Sequence, residues 1–213
     1  MVIGFEPMEQ DYMRLIKAVR QQITSPLRVV RAGRTEFHIL DAAGRPCASL
    51  RNHPVSDVPA NVTIAPQANA GANTASLNPH YQARGWFAPR VRAVTLDEEL
   101  GRLGQAARDV LLLKVDVEGH EVAVLDGARE AMAAGRVHAI LLEYGDKMSP
   151  QIWDGMKAKF EAFPAGDSPR DFKGLHWLRG YADARGYDVF LLGAARGRPV
   201  LVGVSGELWS DAY

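Results

Sequence analysis

Hydrophobic and polar positions change period several times along this chain, and the changes mark its elements. "VIGFEP" (2–7) opens with an apolar run ending in an acid and a proline, the pattern of a buried strand and its exit. "EQDYMRLIKAVRQQI" (9–23) places Tyr12, Leu15, Ile16 and Val19 on one helical face, and Pro26 bars its continuation. "LRVVRA" (27–32) is a short strand. "EFHIL" and "CASL", joined by "DAAGRP", predict a hairpin with a Gly/Pro turn. Residues 51–92 are rich in Asn, Pro and Ala and have little periodicity, so they are expected to be a long irregular insertion, either functional or disordered.

Regular pattern returns at "VRAVTLDEELGRL" (91–103), a short strand and then a helix started by Thr95 or Asp97. "VLLLKVDVEG" (110–119) is nearly all apolar, as in a central strand buried on both faces, and Gly119 supplies a turn. Lys114, charged within that run, is expected to pair with a carboxylate. "HEVAVLDGAREAM" (120–132) predicts a helix and "VHAILLE" (137–143) a further buried strand ending in an acid. "QIWDGMKAKFEAF" and "GLHWLRGYADARG" predict helices, the latter stopped by Gly186. "YDVFLLG" and "RPVLVGV" predict a closing hairpin.

This alternation of strands and helices implies an α/β domain with a mostly parallel sheet and a C-terminal antiparallel hairpin. Ligands of such sheets bind beyond the carboxyl ends of the strands. Three strands end in acids, at Glu6, at Asp116 with Glu118, and at Glu143, and parallel strands would gather them on one edge. An acid in the position of Glu6 suits ribose hydroxyls, or else it caps the following helix. Asp116 and Glu118, beside a glycine, suit a general base or a hard cation, or else form a solvated loop. His120 and Glu121 are close enough to join them.

Composition narrows the choice. The 213 residues carry 25 basic and 25 acidic side chains, a balance that calls for neither nucleic acid nor an anionic membrane. No apolar run reaches the roughly 18 residues that span a bilayer, and a cytoplasmic location is expected. Cys47 is the single cysteine, which leaves no internal disulfide, and no histidine pair has the spacing of a zinc helix. "NAGANTASL" (69–77) is glycine-bearing but does not follow an apolar strand.

"VIGFEP" and "LLLKVDVEGHEVAVLDGA" resemble the FkbM-like family of S-adenosylmethionine (SAM)-dependent methyltransferases. "VTLDEEL", "AILLE" and "NTASL" extend the resemblance over roughly residues 1–143. It implies a single Rossmann-like class I methyltransferase domain over residues 1–213, and transfer of a methyl group from SAM to a hydroxyl of a sugar or secondary metabolite. Glu6 would then hold the cofactor ribose. Asp116 would serve as base or cofactor contact, with Glu118, Glu121 and Glu143 behind it. Such a chain needs a small-molecule or glycan acceptor and neither nucleic acid nor membrane, and an oligomer is compatible with it. The family's first strand and glycine-rich turn should precede "VIGFEP", so the sequence reads as N-terminally truncated, with the first strand missing. Two other readings stand beside this one: a non-catalytic remnant or interaction module, and a nicotinamide dehydrogenase, which no G-x-G-x-x-G supports.

Overall fold

The computed structural model describes residues 1–66, 75–77, 90–104, 109–117, 120–142, 175–195 and 198–203. The chain forms two compact units, Met1–Glu143 and Tyr144–Tyr213.

The first unit begins with β1 (Val2–Phe5) and α1 (Glu9–Gln22), followed by β2 (Arg28–Arg31), β3 (Glu36–Leu40) and β4 (Pro46–Arg51). These strands make one sheet in the order β1-β4-β3-β2. Only four residues (32–35) join β2 to β3 and five (41–45) join β3 to β4, too few for a parallel crossover, so both pairings are antiparallel. β1 reaches β4 after a longer excursion and lies parallel to it, Phe5 opposite Arg51. Of the helical face read from sequence, Tyr12 and Ile16 are buried with Phe37, while Val29 and Leu50 pack against them. Leu15 is exposed. The Tyr12 hydroxyl donates to the Leu50 carbonyl at 3.0 Å, so the one polar atom of this cluster is satisfied.

Within residues 51–92, part of the expected irregular insertion is paired. β5 (Asn61–Thr63) lies antiparallel to β8 (Arg90–Arg92), and β6 (Ala65–Pro66) to β7 (Ala75–Ser76). α2 (Leu96–Leu103) is started by Thr95, whose Oγ1 accepts from the Glu98 N–H at 3.0 Å. Asp97 serves a different helix, accepting from the N–H groups of Glu130 and Ala131 at 2.8 and 2.9 Å.

β9 (Leu113–Val115) pairs parallel with β10 (Ile140–Leu142). The expected burial of this strand on both faces holds for Val115 but not for Leu111 and Leu112, which are 80% and 57% exposed. Among the described residues β9 has β10 as its one strand partner, and β1 has β4. The expected single helix over 120–132 is two short ones, α3 (Glu121–Asp126) and α4 (Arg129–Ala133), interrupted at Gly127. The mostly parallel sheet of the expectation also needs correction. Two strand pairings are parallel and the other five among the described residues are antiparallel; for β2–β3, β3–β4 and β11–β12 the connection is too short for a parallel crossover.

In the second unit, α5 (Leu175–Asp183) ends as predicted near Gly186, which has φ +76°. β11 (Phe190–Ala195) and β12 (Arg198–Gly203) form the expected hairpin, in the register Phe190–Gly203 to Ala195–Arg198. The helix read at 151–163 lies outside the described residues. No helix among those described is long and apolar enough to cross a membrane.

One buried ion cluster ties the first sheet to α2. Arg51 is 4% exposed, with Nε 3.2 Å from Glu36 Oε1 and Nη1 against Glu99 Oε2. Ser49 donates to Glu36 at 2.9 Å, and Arg102 donates to Glu99 at 2.8 Å. Burial would raise the Glu36 carboxyl, but hydrogen bonds from Ser49 and His38 and the Arg51 charge outweigh it and hold it below its ordinary 4.5. Its stabilising contribution is therefore present above that value and lost as pH falls through the depressed one. Removing one partner of such a cluster strands the others without compensation. Arg51→Met should cost about 3–5 kcal/mol in urea unfolding, and the pair Arg51→Met with Glu99→Leu should recover part of that loss. A single substitution costing under about 1 kcal/mol, the range of an exposed ion pair, would contradict this.

Candidate functional site

β1 and β4 run parallel, so the residues just past their carboxyl ends emerge side by side. The Glu6 N–H donates to the Arg51 carbonyl at 3.0 Å. Asn52, the next residue, donates through Nδ2 to the carbonyls of Glu6 and Pro7 at 2.8 and 3.1 Å, and its own N–H donates to Thr35. The exit of β1 is thus fixed by the exit of β4. The chain continues through His53 and Pro54 to Val55, which forms a parallel bridge with Val94. Asp116 and Val117 leave the end of β9, and His120 precedes α3.

These three exits border one cavity of about 400 Å³. Phe5, Pro7, Met8, Val55, Ile64 and Leu77 give it an apolar lining, and Glu6, Asp11, His53, Asp116 and His120 a polar one. Two strand-end acids singled out from sequence, Glu6 and Asp116, therefore share a pocket. Glu118 and Glu143 lie outside the described residues. Glu121 is buried, and its Oε1 accepts from the Val117 N–H at 3.2 Å, which ties the loop after β9 to the start of α3. It is not one of the lining residues. Among the described residues no group of three or more His, Cys, Asp or Glu side chains is placed to hold a metal ion.

Glu6 both lines the cavity and holds the entry to α1. Its Oε1 accepts from the Met8 N–H at 2.8 Å, at the start of α1, as the capping alternative foresaw. Burial raises its carboxyl above the ordinary 4.5, and the nearby Asp11 adds to the rise, against the lowering effect of the Met8 N–H. Asp116 accepts from Lys114 Nζ at 2.7 Å, which is the pairing expected for that lysine.

The two pocket histidines are held differently. His53 has Nδ1 3.1 Å from the Arg92 carbonyl and Nε2 3.0 Å from Thr35 Oγ1. A carbonyl only accepts, so Nδ1 carries the proton and Nε2 accepts from Thr35. His53 thereby clamps the β2–β3 turn to the end of β8. His120 Nε2 lies 2.9 Å from Ser56 Oγ, and Ser56 Oγ donates to Asp57 Oδ1 at 2.9 Å. Asp11, His53, Ser56 and Asp57 were missed from sequence. For His53 a signal existed, because it stands just past the predicted strand "CASL", as Glu6 stands past "VIGF". Ser56 is positioned by its N–H bond to Val94 and by contact with Gly127. A Cβ at Gly127 would overlap the Ser56 carbonyl oxygen, so this close approach requires glycine.

Paired parallel strands whose carboxyl ends open on a part-apolar, part-acidic pocket are the arrangement in which α/β proteins commonly take ligands. The model of the methyltransferase FkbM domain matches residues 1–188, and the chain belongs to that family. Searches of the curated proteins and of the solved structures each return no significant match.

Two outcomes follow. Because the Glu6 carboxyl is raised in the folded chain, folding favours its protonated form. That contribution is complete below 4.5 and is lost as pH rises through the folded value. Glu6→Gln should therefore leave the melting temperature near that of the parent at about pH 4 and raise it at about pH 7; equal melting at both would refute the assignment. Gly127→Ala should destabilise by about 1–3 kcal/mol through overpacking against Ser56, and an unchanged urea midpoint would show that the contact is not tight.

Proposed function

We propose that the chain is a SAM-dependent O-methyltransferase that methylates a hydroxyl of a sugar or secondary metabolite. In this reading its α/β strands form the Rossmann-like class I arrangement. The observation that carries the reading is the meeting of Glu6 and Asp116 in one pocket, in a chain of the FkbM methyltransferase family.

The lining suits SAM chemically. The apolar residues beside Glu6 fit an adenine ring, and the Glu6 carboxylate fits the ribose hydroxyls as an acceptor-only group. The carboxylates of Asp11 and Asp116 favour a cationic ligand. SAM supplies a methyl group activated by a positive sulfur. The protein's part is to hold donor and acceptor in line and to keep water from competing. Asp116 is already paired with Lys114. That pairing favours its cofactor-contact role over the role of base. Glu121 acts through Val117, whose N–H it holds.

Isothermal titration calorimetry tests the reading. SAM and S-adenosylhomocysteine (SAH) should bind the parent protein. Glu6→Gln should weaken both by about 10- to 100-fold, the equivalent of roughly 1.5–3 kcal/mol for a lost charged hydrogen bond. Parent protein that binds neither ligand would end the methyltransferase reading.

A further inference from the structure

Charge is balanced over the whole chain but not within it. Residues 12–34 carry six basic side chains, Arg14, Lys17, Arg20, Arg28, Arg31 and Arg34, and no acid. All six are exposed. Arg14 pairs with Asp11 at 2.8 Å, and the other five have no carboxylate partner.

Four of the six lie on or beside an open strand edge. β2 is the outer strand of its sheet, and among the described residues it pairs with β3 alone. The Ala32 N–H donates to the Glu36 carbonyl at 3.0 Å, in line with the register that sets Val30 opposite His38 and Arg28 opposite Leu40. Antiparallel pairs alternate between bonded and non-bonded. Arg28 and Val30 therefore turn their backbone groups to β3, and Val29 and Arg31 turn theirs to the open edge. Side chains alternate as well. Val29 and Arg31 share the face that meets α1, where Val29 packs on Tyr12, Ile16 and Phe37. Arg28 and Val30 share the other.

The α1 face is the strongly positive one. Arg20 of α1 and Arg31 both lie over the Phe37 ring, with their guanidinium carbons 5.3 and 5.9 Å from its centroid. Lys17 stands three residues before Arg20, as its neighbour on the helix surface. Arg31 is held in place, since its Nε and Nη2 donate to the carbonyls of Gly33 and Arg34 at 3.0 and 3.3 Å. Such charges on an edge strand repel a like edge, so a second copy offering its own β2 is disfavoured. A strand of opposite charge meets no such barrier.

We propose that the open edge of β2 docks an extended segment of a partner protein in which acidic and apolar side chains alternate. The segment adds one strand to the sheet, bonded through its backbone to Val29 and Arg31. Its acids lie on the α1 face against Lys17, Arg20 and Arg31, and its apolar side chains lie on the face of Val30. A nucleic acid or an anionic membrane would meet the same charges but would leave the backbone of the edge unpaired. The cofactor pocket takes no part, so the proposal is independent of the methyltransferase reading.

Fluorescence anisotropy at low ionic strength tests it, using the full chain and a labelled short peptide of alternating glutamate and valine. The peptide should bind, and the same peptide with lysine for glutamate should not. Arg20→Glu combined with Arg31→Glu should weaken the acidic peptide by about tenfold or more and should make the protein prefer the lysine peptide, because the like charges are now reversed. That reversal also shows that the variant is folded. N-methylation of the peptide's edge-facing amides should cost about tenfold or more, the equivalent of one or two lost hydrogen bonds. In amide exchange followed by NMR, bound peptide should slow Val29 and Arg31 by about tenfold or more.

An acidic peptide that fails to bind the parent protein overturns the proposal. So does binding that survives N-methylation, or that leaves the Val29 and Arg31 amides unprotected, because the patch then attracts any polyanion. Vesicles of phosphatidylserine and phosphatidylcholine that capture the protein through these arginines, with the peptide inert, would assign the surface to a membrane and overturn it as well.

Discussion

A single guanidinium, that of Arg51, connects the fold to the site. It is buried where β4 ends, and the carboxylates of Glu36 on β3 and Glu99 on α2, with the Ser49 hydroxyl, offset its removal from water. Burial pulls its own ionisation downward, against the Glu36 charge that supports it. The side chain thus holds the sheet to the helix, while the backbone of the same residue receives the Glu6 N–H. Asn52 next to it fixes the two carbonyls beyond β1. Glu6 has its place because Arg51 and Asn52 have theirs, and the pocket wall begins at the residue after them.

The second wall is built by contacts distant in sequence. Ser56 is held by Val94 and Gly127, Asp97 caps α4 while it sits in α2, and His120 meets Ser56 across 64 positions. The Gly127 and His120 contacts join the stretch after β4 to the helices after β9, and Asp97 joins α2 to α4. The small size of Gly127 permits the closest of them, and the same glycine marks the break between α3 and α4.

What could be read from the sequence follows from this division. Local features were legible: the face of α1 carrying Tyr12 and Ile16, the Thr95 cap, the β3–β4 and β11–β12 hairpins, and the pairing of Lys114. In each case the deciding residues lie a few positions apart. Glu6 and Asp116 were legible as acids lining one pocket because an acid ending an apolar run is a visible signal. Ser56 and Asp57 were hidden, because residues 51–92 have little periodicity and their partners come from elsewhere in the chain. The apolar run at 110–115 misled for a related reason. It records that these residues can be buried, but cover comes from other segments, and Leu111 and Leu112 have little of it. The break at Gly127 was hidden because helical spacing continues across it, and its neighbours there, Asp97 and Ser56, come from elsewhere in the chain.

The electrostatics of the pocket bear on what it can hold. Glu6, Asp11 and Asp116 line it, and burial raises Glu6, so the wall holds its negative charge at some cost and is improved by a cation. Lys114 supplies one positive neighbour, at Asp116. In the proposed reaction the cofactor enters with a positive sulfur and leaves neutral, so the same acidic wall favours the methyl donor over the spent cofactor.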